Sequence, residues 1–145
     1  MGLLSVYSSA MIHECTLSVR TYECDSYGHV NNAVYLHYLE FGRCEYLKSI
    51  GFDYPTVVGS GYGLYVARVE IDYKRPAFAD DSLIIRSWPI KKGAVSGVLA
   101  QEIRRGDDMI VEAKVTWAFV DSKGLPCRVP AEWDLPGLNP SRTTH

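Results

Sequence analysis

Between Val34 and Ile50, the residues Tyr35, Leu39, Gly42, Tyr46 and Ile50 recur at three- and four-residue spacing, with Leu36 and Leu47 beside them. His37, Glu40, Glu45 and Lys48 fill the polar positions. That is the period of one amphipathic helix, and Gly51 supplies its stop. The remainder is β-like. From Tyr65 to Lys74, the residues Tyr65, Ala67, Val69, Ile71 and Tyr73 alternate with Arg68, Glu70, Asp72 and Lys74, giving a strand one apolar and one charged face. Leu83 to Ile90, Val95 to Ile103 and Met109 to Val120 read as further strands, with turns at Lys91-Lys92-Gly93 and Arg105-Gly106-Asp107-Asp108. Thr16 to Arg20 adds a short first strand. One long helix and a run of antiparallel strands make an α+β domain whose curved sheet can wrap the helix. Gly42 costs about 1 kcal/mol against alanine in mid-helix, so close approach by another backbone is the expected reason for it.

The chemistry-bearing segment lies just before that helix. Asp25-Ser-Tyr-Gly-His-Val-Asn-Asn-Ala-Val-Tyr35 crowds a carboxylate, an imidazole and two amides into a glycine-containing turn. Backbone N–H groups around Val30 to Asn32 open the helix and point their donors outward, where they can stabilise negative charge on a carbonyl oxygen. Asp25, seven residues before Asn32, can act as base or nucleophile. One segment thus offers both halves of an acyl-transfer site. Each residue also has a plainer role. An isolated aspartate is usually a turn former, a lone histidine such as His29 is often a structural hydrogen-bonding group, and Asn31 and Asn32 are natural helix caps. Tyr35 and Tyr38 read as core residues with hydroxyls at the site edge, and Glu40 with Arg43 as a local ion pair on the helix.

Composition removes other classes. At 145 residues and 47% hydrophobic content the chain is one globular unit, and a net charge of -2 without any basic stripe argues against nucleic acid. Residues 1–11 are expected to form a loose extension, 12–138 a single domain and 139–145 a frayed tail. Cys15, Cys24, Cys44 and Cys127 form no C-x-x-C pair and suit reduced, buried thiols in a cytoplasmic protein. No window reaches the roughly 20 apolar residues of a membrane span, and the first ten residues lack signal-peptide character, so no membrane insertion is expected. Gly59-Ser-Gly-Tyr-Gly63 lacks the spacing of a dinucleotide loop, and no G-x-S-x-G surrounds Ser60 or Ser96. His29, His37 and Glu40 do not make H-E-x-x-H, so no metal is expected.

Asp25-x-x-x-His29-Val-Asn-Asn-x-x-Tyr35, followed by Tyr38-Leu39-Glu40-x-x-Arg43, resembles the hotdog acyl-CoA thioesterases of the 4-hydroxybenzoyl-CoA thioesterase superfamily. Val69-x-Ile71-x-Tyr73-Lys-Arg-Pro-Ala77, with Asp81 soon after, looks like the second strand and turn of the bacterial long-chain acyl-CoA thioesterases. The resemblance implies a hotdog fold and hydrolysis of a fatty or aromatic acyl-CoA to free acid and coenzyme A. No cofactor is implied beyond the coenzyme A of the substrate. It implies Asp25 as the catalytic carboxylate, attacking the thioester or activating water, and the Asn32 backbone N–H as oxyanion donor. Asn31, His29 and Tyr35 are the accompanying substrate-site residues. Another branch of the superfamily uses a helix glutamate, which makes Glu40 the rival carboxylate. The family further implies a homodimer, often paired again into a homotetramer, with the acyl site between subunits. Two other activities are compatible with such a chain: a hotdog enoyl-CoA hydratase or dehydratase, whose usual D-x-N-P-x-H order is missing here, and a noncatalytic acyl-CoA-binding protein.

Overall fold

A computed structural model describes residues 12–140. The expected extension at 1–11 and most of the expected tail lie outside the described residues. The elements run β1 (His13–Ser18), a 3-10 turn (Thr21–Glu23), α1 (Val34–Ser49), α2 (Tyr54–Gly59), β2 (Gly63–Tyr73), β3 (Ser82–Lys92), β4 (Ser96–Arg105), β5 (Asp108–Val120) and a closing 3-10 turn (Pro136–Leu138). The five strands form one sheet in the order β1-β3-β4-β5-β2. Every neighbouring pair is antiparallel. A long helix on a five-stranded antiparallel sheet is the arrangement expected of a hotdog domain.

β5 keeps the alternation its sequence promised: Val111, Ala113, Val115, Trp117 and Phe119 are buried while Glu112 and Lys114 are exposed. The α1 residues Tyr35, Tyr38 and Leu39 share a core cluster with Leu83 and Ile85 of β3, Ile103 of β4 and Val111 of β5. A second cluster joins Tyr46 and Leu47 to Trp117, Phe119, Val129 and Trp133. The chain after β5 therefore does structural work, covering the C-terminal end of the helix. All four cysteines are free thiols and half-buried rather than fully buried.

Several boundaries differ from the pattern, each for a stated reason. The first strand occupies His13–Ser18 rather than 16–20 because its partner sets it: His13 pairs with Ser87 and Ser18 with Ser82, after which Val19 donates to the Asp81 carbonyl at 2.9 Å. α2 escapes the helical period because it is only six residues long, yet its start is written locally, with the Asp53 carboxylate accepting from the Thr56 hydroxyl at 2.7 Å. β3 runs through Pro89 to Lys92, and the pairing register shifts between Pro89 and Lys91, the usual accommodation of proline inside a sheet.

β2 departs most. A bulge between Val66 and Arg68 leaves Ala67 without a partner, so Val66 lies opposite Trp117, Val69 opposite Val115 and Tyr73 opposite Val111. Cross-strand partners share a face, so Val66, Val69, Ile71 and Tyr73 line the core side, and Tyr65 belongs to the other face. The expected single apolar face from Tyr65 to Tyr73 is thus broken at Ala67. β2 is also an edge strand, and Tyr65, Val66 and Tyr73 remain 59%, 47% and 48% exposed.

Gly42 is approached by side chains, not by backbone. A methyl group there would collide with Cγ2 of Ile85, which is fully buried, and would lie 3.2 Å from the Gln101 amide nitrogen. Gly42→Ala is therefore expected to destabilise the fold by about 1–3 kcal/mol through overpacking, despite alanine's better helix propensity. Urea unfolding of the two proteins checks this, and a more stable alanine variant contradicts the packing account.

Candidate active site

The segment from Glu23 to Asn31 folds back on itself as a small ribbon. The Asp25 N–H donates to the His29 carbonyl at 2.9 Å, the Asn31 N–H donates to the Glu23 carbonyl at 3.0 Å, and Cys24 bridges Val30 in antiparallel fashion. At its tip, Asp25 Oδ1 accepts the Tyr27 N–H at 2.9 Å and the Asp25 carbonyl accepts the Gly28 N–H at 3.1 Å. Gly28 has φ +87°, a conformation that glycine adopts without strain. Asp25 is thus a turn former, as an ordinary aspartate would be, but only one of its oxygens is committed. Oδ2 has no hydrogen bond among the described residues and lies 3.7 Å from His29 Nδ1, beyond hydrogen-bond length. His29 is further flanked by Tyr27, stacked at 6.1 Å, and by Phe78, edge-on at 6.4 Å.

The open end of the ribbon runs into α1. Asn31 Oδ1 accepts the Ala33 N–H at 2.9 Å, and the Asn31 carbonyl accepts the Val34 N–H at 2.9 Å. Asn31 therefore closes a turn just ahead of the helix, whose N-terminal boundary is Ala33 without a side-chain cap, and the Asn31 side-chain oxygen is occupied. Asn32 does not cap with its side chain. Its carbonyl accepts the Tyr73 hydroxyl at 3.0 Å, while its N–H has no partner among the described residues. This unclaimed N–H lies two residues ahead of the 16-residue helix, beside the positive end of its dipole.

Three struts hold this ribbon against the rest of the molecule. Ala77 accepts the Val30 N–H at 2.8 Å and donates its own N–H to the Tyr35 hydroxyl at 3.0 Å. Tyr35 is buried, and burial pushes its phenol up, so at neutral pH it is a protonated brace of the loop rather than a base. Asp81 takes the Phe78 N–H and Arg105 Nη1, each at 2.8 Å, and the same guanidinium nitrogen reaches the Pro76 carbonyl at 3.1 Å. Burial works against the Asp81 carboxylate, but the Phe78 N–H and Arg105 outweigh it and hold its pKa below the ordinary value. Glu23, buried, accepts the Tyr38 hydroxyl at 2.9 Å and the Arg20 N–H at 2.8 Å, and pairs with Arg20 Nη2 at 3.0 Å.

The sequence motif does come together: Asp25, His29, Asn31 and Asn32 share one ribbon and helix start, and Tyr35 braces it from below. Glu23, Tyr73 and Arg105 were missed. Their signal is spatial, since Tyr73 meets Asn32 across 41 positions and Arg105 meets Asp81 across 24. The expected Glu40–Arg43 pair is not formed within ion-pair distance. Arg43 Nη1 instead donates to Gln101 Oε1 at 3.2 Å. Beside the second half of α1 lies a cavity of about 340 Å³, walled by residues from Glu40 to Leu47 and by β2, β4 and β5 rather than by Asp25. Among the described residues no three His, Cys, Asp or Glu side chains converge as a metal site, and no helix is long and apolar enough to cross a membrane.

Residues 19–135, which carry the ribbon, the helix and the whole sheet after β1, match the model of the thioesterase-like superfamily. The chain belongs to that superfamily. It is 34% identical over 127 residues to the chloroplastic acyl-acyl carrier protein thioesterase ATL3 of Arabidopsis thaliana, a match covering 82% of this chain and 64% of the relative. It is also 34% identical over 110 residues to the long-chain acyl-CoA thioesterase FadM of Escherichia coli, covering 74% of this chain and 82% of that protein. The chain thus spans under two thirds of the plant relative's length. Among solved structures, a probable thioesterase from Bartonella henselae superposes with a TM-score of 0.79 at 30% identity, over 82% of this chain and 99% of that one.

Proposed function

We propose that the chain hydrolyses an acyl-CoA thioester to the free acid and coenzyme A. The observation that carries this reading is the unclaimed Asn32 N–H at the head of α1, on the same ribbon as an Asp25 oxygen with no other commitment. A thioester carbonyl directed at the Asn32 N–H gains a donor that strengthens as the oxygen becomes an oxyanion. Asp25 delivers the nucleophile, either its own Oδ2 or a water whose proton it takes. The tetrahedral adduct then collapses, the C–S bond breaks, and coenzyme A leaves as thiolate to be protonated. In the first route water subsequently cleaves the mixed anhydride. Asn31 sets the helix start, Tyr35 braces the loop, and His29 lines the Asp25 side of the site. No further cofactor takes part.

Thiol release from acyl-CoAs, measured with a thiol-reactive dye alongside the free acid produced, tests the reaction. Equal amounts of thiol and acid are expected. Loss of enoyl absorbance without thiol instead points to hydration, and binding with neither points to an acyl-CoA-binding protein. Acyl carrier protein thioesters, assayed beside the CoA forms, decide between the two thiol carriers.

We further propose that the sheet wraps α1 in the hotdog manner and that two copies associate through β2. The open edge of β2 and its exposed Tyr65, Val66 and Tyr73 support the second point, since an uncovered edge with apolar side chains is the feature a partner strand removes. Light scattering is expected to give a dimer or tetramer of the 16.2 kDa chain. A fully active monomer at micromolar concentration refutes the shared site.

A further inference from the structure

The cavity beside α1 is walled largely by apolar groups such as Leu47, Val66, Val115 and Trp117, yet two charged side chains, Glu40 and Arg43, also line it. Arg43 is held from behind. Its Nη1 donates to Gln101 Oε1 at 3.2 Å, and Gln101, buried, spends its amide hydrogens on the Leu39 carbonyl at 3.0 Å and Ser87 Oγ at 2.9 Å. The amide is fully used, so Arg43 cannot leave without orphaning a buried oxygen. The bare Gly42 is what lets Gln101 reach the helix backbone.

A guanidinium carries five N–H donors, and the bond to Gln101 is the one hydrogen bond Arg43 makes among the described residues. Burial disfavours its charge, and the Glu40 carboxylate works against that effect. Arg43 is half-buried and lines that largely apolar space, so an acceptor bound there can take N–H donors that Gln101 leaves unused.

Its place on the helix says what that could be. Asn32, Leu36, Glu40, Arg43 and Leu47 recur at four- and three-residue steps, one face of α1 running from the free N–H to the cavity. Arg43 stands roughly 16 Å along the axis from Asn32, too far for a substituent on a single aromatic ring held at the oxyanion donor. The Glu40 carboxylate on the same wall disfavours a second anion and can accept a hydrogen bond.

We propose that this cavity receives the far end of an aliphatic acyl chain, with Arg43 donating to the oxygen of a hydroxyl group carried there and Glu40 accepting its hydrogen. The inference rests on the thioesterase reading and names its substrate class: acyl thioesters hydroxylated at or near the chain terminus. Gln101 acts through Arg43 as a positioning residue.

The test uses the full chain and two readouts. In the first, kcat/KM is measured for lauroyl-CoA and ω-hydroxylauroyl-CoA, flanked by the corresponding decanoyl and myristoyl pairs. At one of these lengths the hydroxylated member is expected to be favoured by about tenfold or more, the size of a hydrogen bond to a charged group, and Arg43→Met is expected to bring that ratio to about one. Equal use of both members at every length, or a preference that survives Arg43→Met, overturns the proposal. If Arg43→Met does not fold, Glu40→Gln decides: it is expected to raise the use of ω-carboxylauroyl-CoA relative to lauroyl-CoA, and no change overturns the assignment. The second readout is calorimetric binding of free lauric and ω-hydroxylauric acids, which needs no turnover. Preferential binding of the hydroxy acid, lost in Arg43→Met, without thiol release from any acyl-CoA overturns the thioesterase reading and retains the cavity assignment. Thiol release with no hydroxyl preference in either readout does the reverse.

Discussion

Asp25→Asn is expected to lower thioester hydrolysis by at least about 10²-fold, the lower range for a positioned acid/base group, while leaving fold and assembly intact. Asparagine keeps a side-chain oxygen for the Tyr27 N–H, so the turn that Asp25 Oδ1 closes at 2.9 Å survives the change. What disappears is the carboxylate oxygen that now lies 3.7 Å from His29 Nδ1 and is otherwise uncommitted. The substitution thus separates the residue's two roles, which alanine would remove together. Circular dichroism and light scattering establish that the variant is folded, and single-turnover thiol release reads the chemistry. Turnover near that of the parent sinks the assignment. Glu40→Gln belongs beside it, because a larger loss there transfers the carboxylate role to the helix. Reaction in oxygen-labelled water adds the route: after one turnover, label in the Asp25 side chain marks a mixed anhydride.

The second large effect is expected from Asn32→Pro, which deletes the N–H itself. Removing one oxyanion donor typically costs about 10²- to 10³-fold in turnover. Asn32→Ala keeps that N–H, and the Asn32 carbonyl still accepts from Tyr73, so it is expected to lose much less. Proline is placed well for such a test. Asn32 lies in the turn two residues before α1 begins at Val34, so proline there interrupts no helical hydrogen bond, and no described hydrogen bond is forfeited with the N–H. A folded Asn32→Pro protein with full activity moves the oxyanion donor elsewhere.

The ribbon and helix start were legible because their logic is local. Asp25, Gly28 and Asn31 each bond within four positions, and turn and cap chemistry of that range is written in consecutive letters. The strands were legible wherever one face is buried and the other is not, as in β5. β2 misled because its alternation looks perfect in the sequence, while a single unpaired residue, Ala67, shifts half of it to the other face. The Glu40–Arg43 pairing failed for a related reason. Helical spacing permits it, but a buried amide arriving from 58 positions away offers Arg43 a better-shielded partner. Glu23 could not be told from a surface glutamate until Tyr38 and Arg20 were seen to close around it.

Gly42 lies in the middle of α1, ten residues and roughly 15 Å along the axis from Asn32, whose N–H is the proposed oxyanion donor. Interiors this tightly packed transmit strain instead of absorbing it, and an error of about 1 Å at a reacting centre can cost on the order of 10²-fold in rate. A methyl at Gly42 would press on Ile85 and Gln101, and the push would be shared with the helix that leads back to Asn32. On the proposed chemistry, a side chain at this position is therefore expected to cost alignment at the thioester as well as stability.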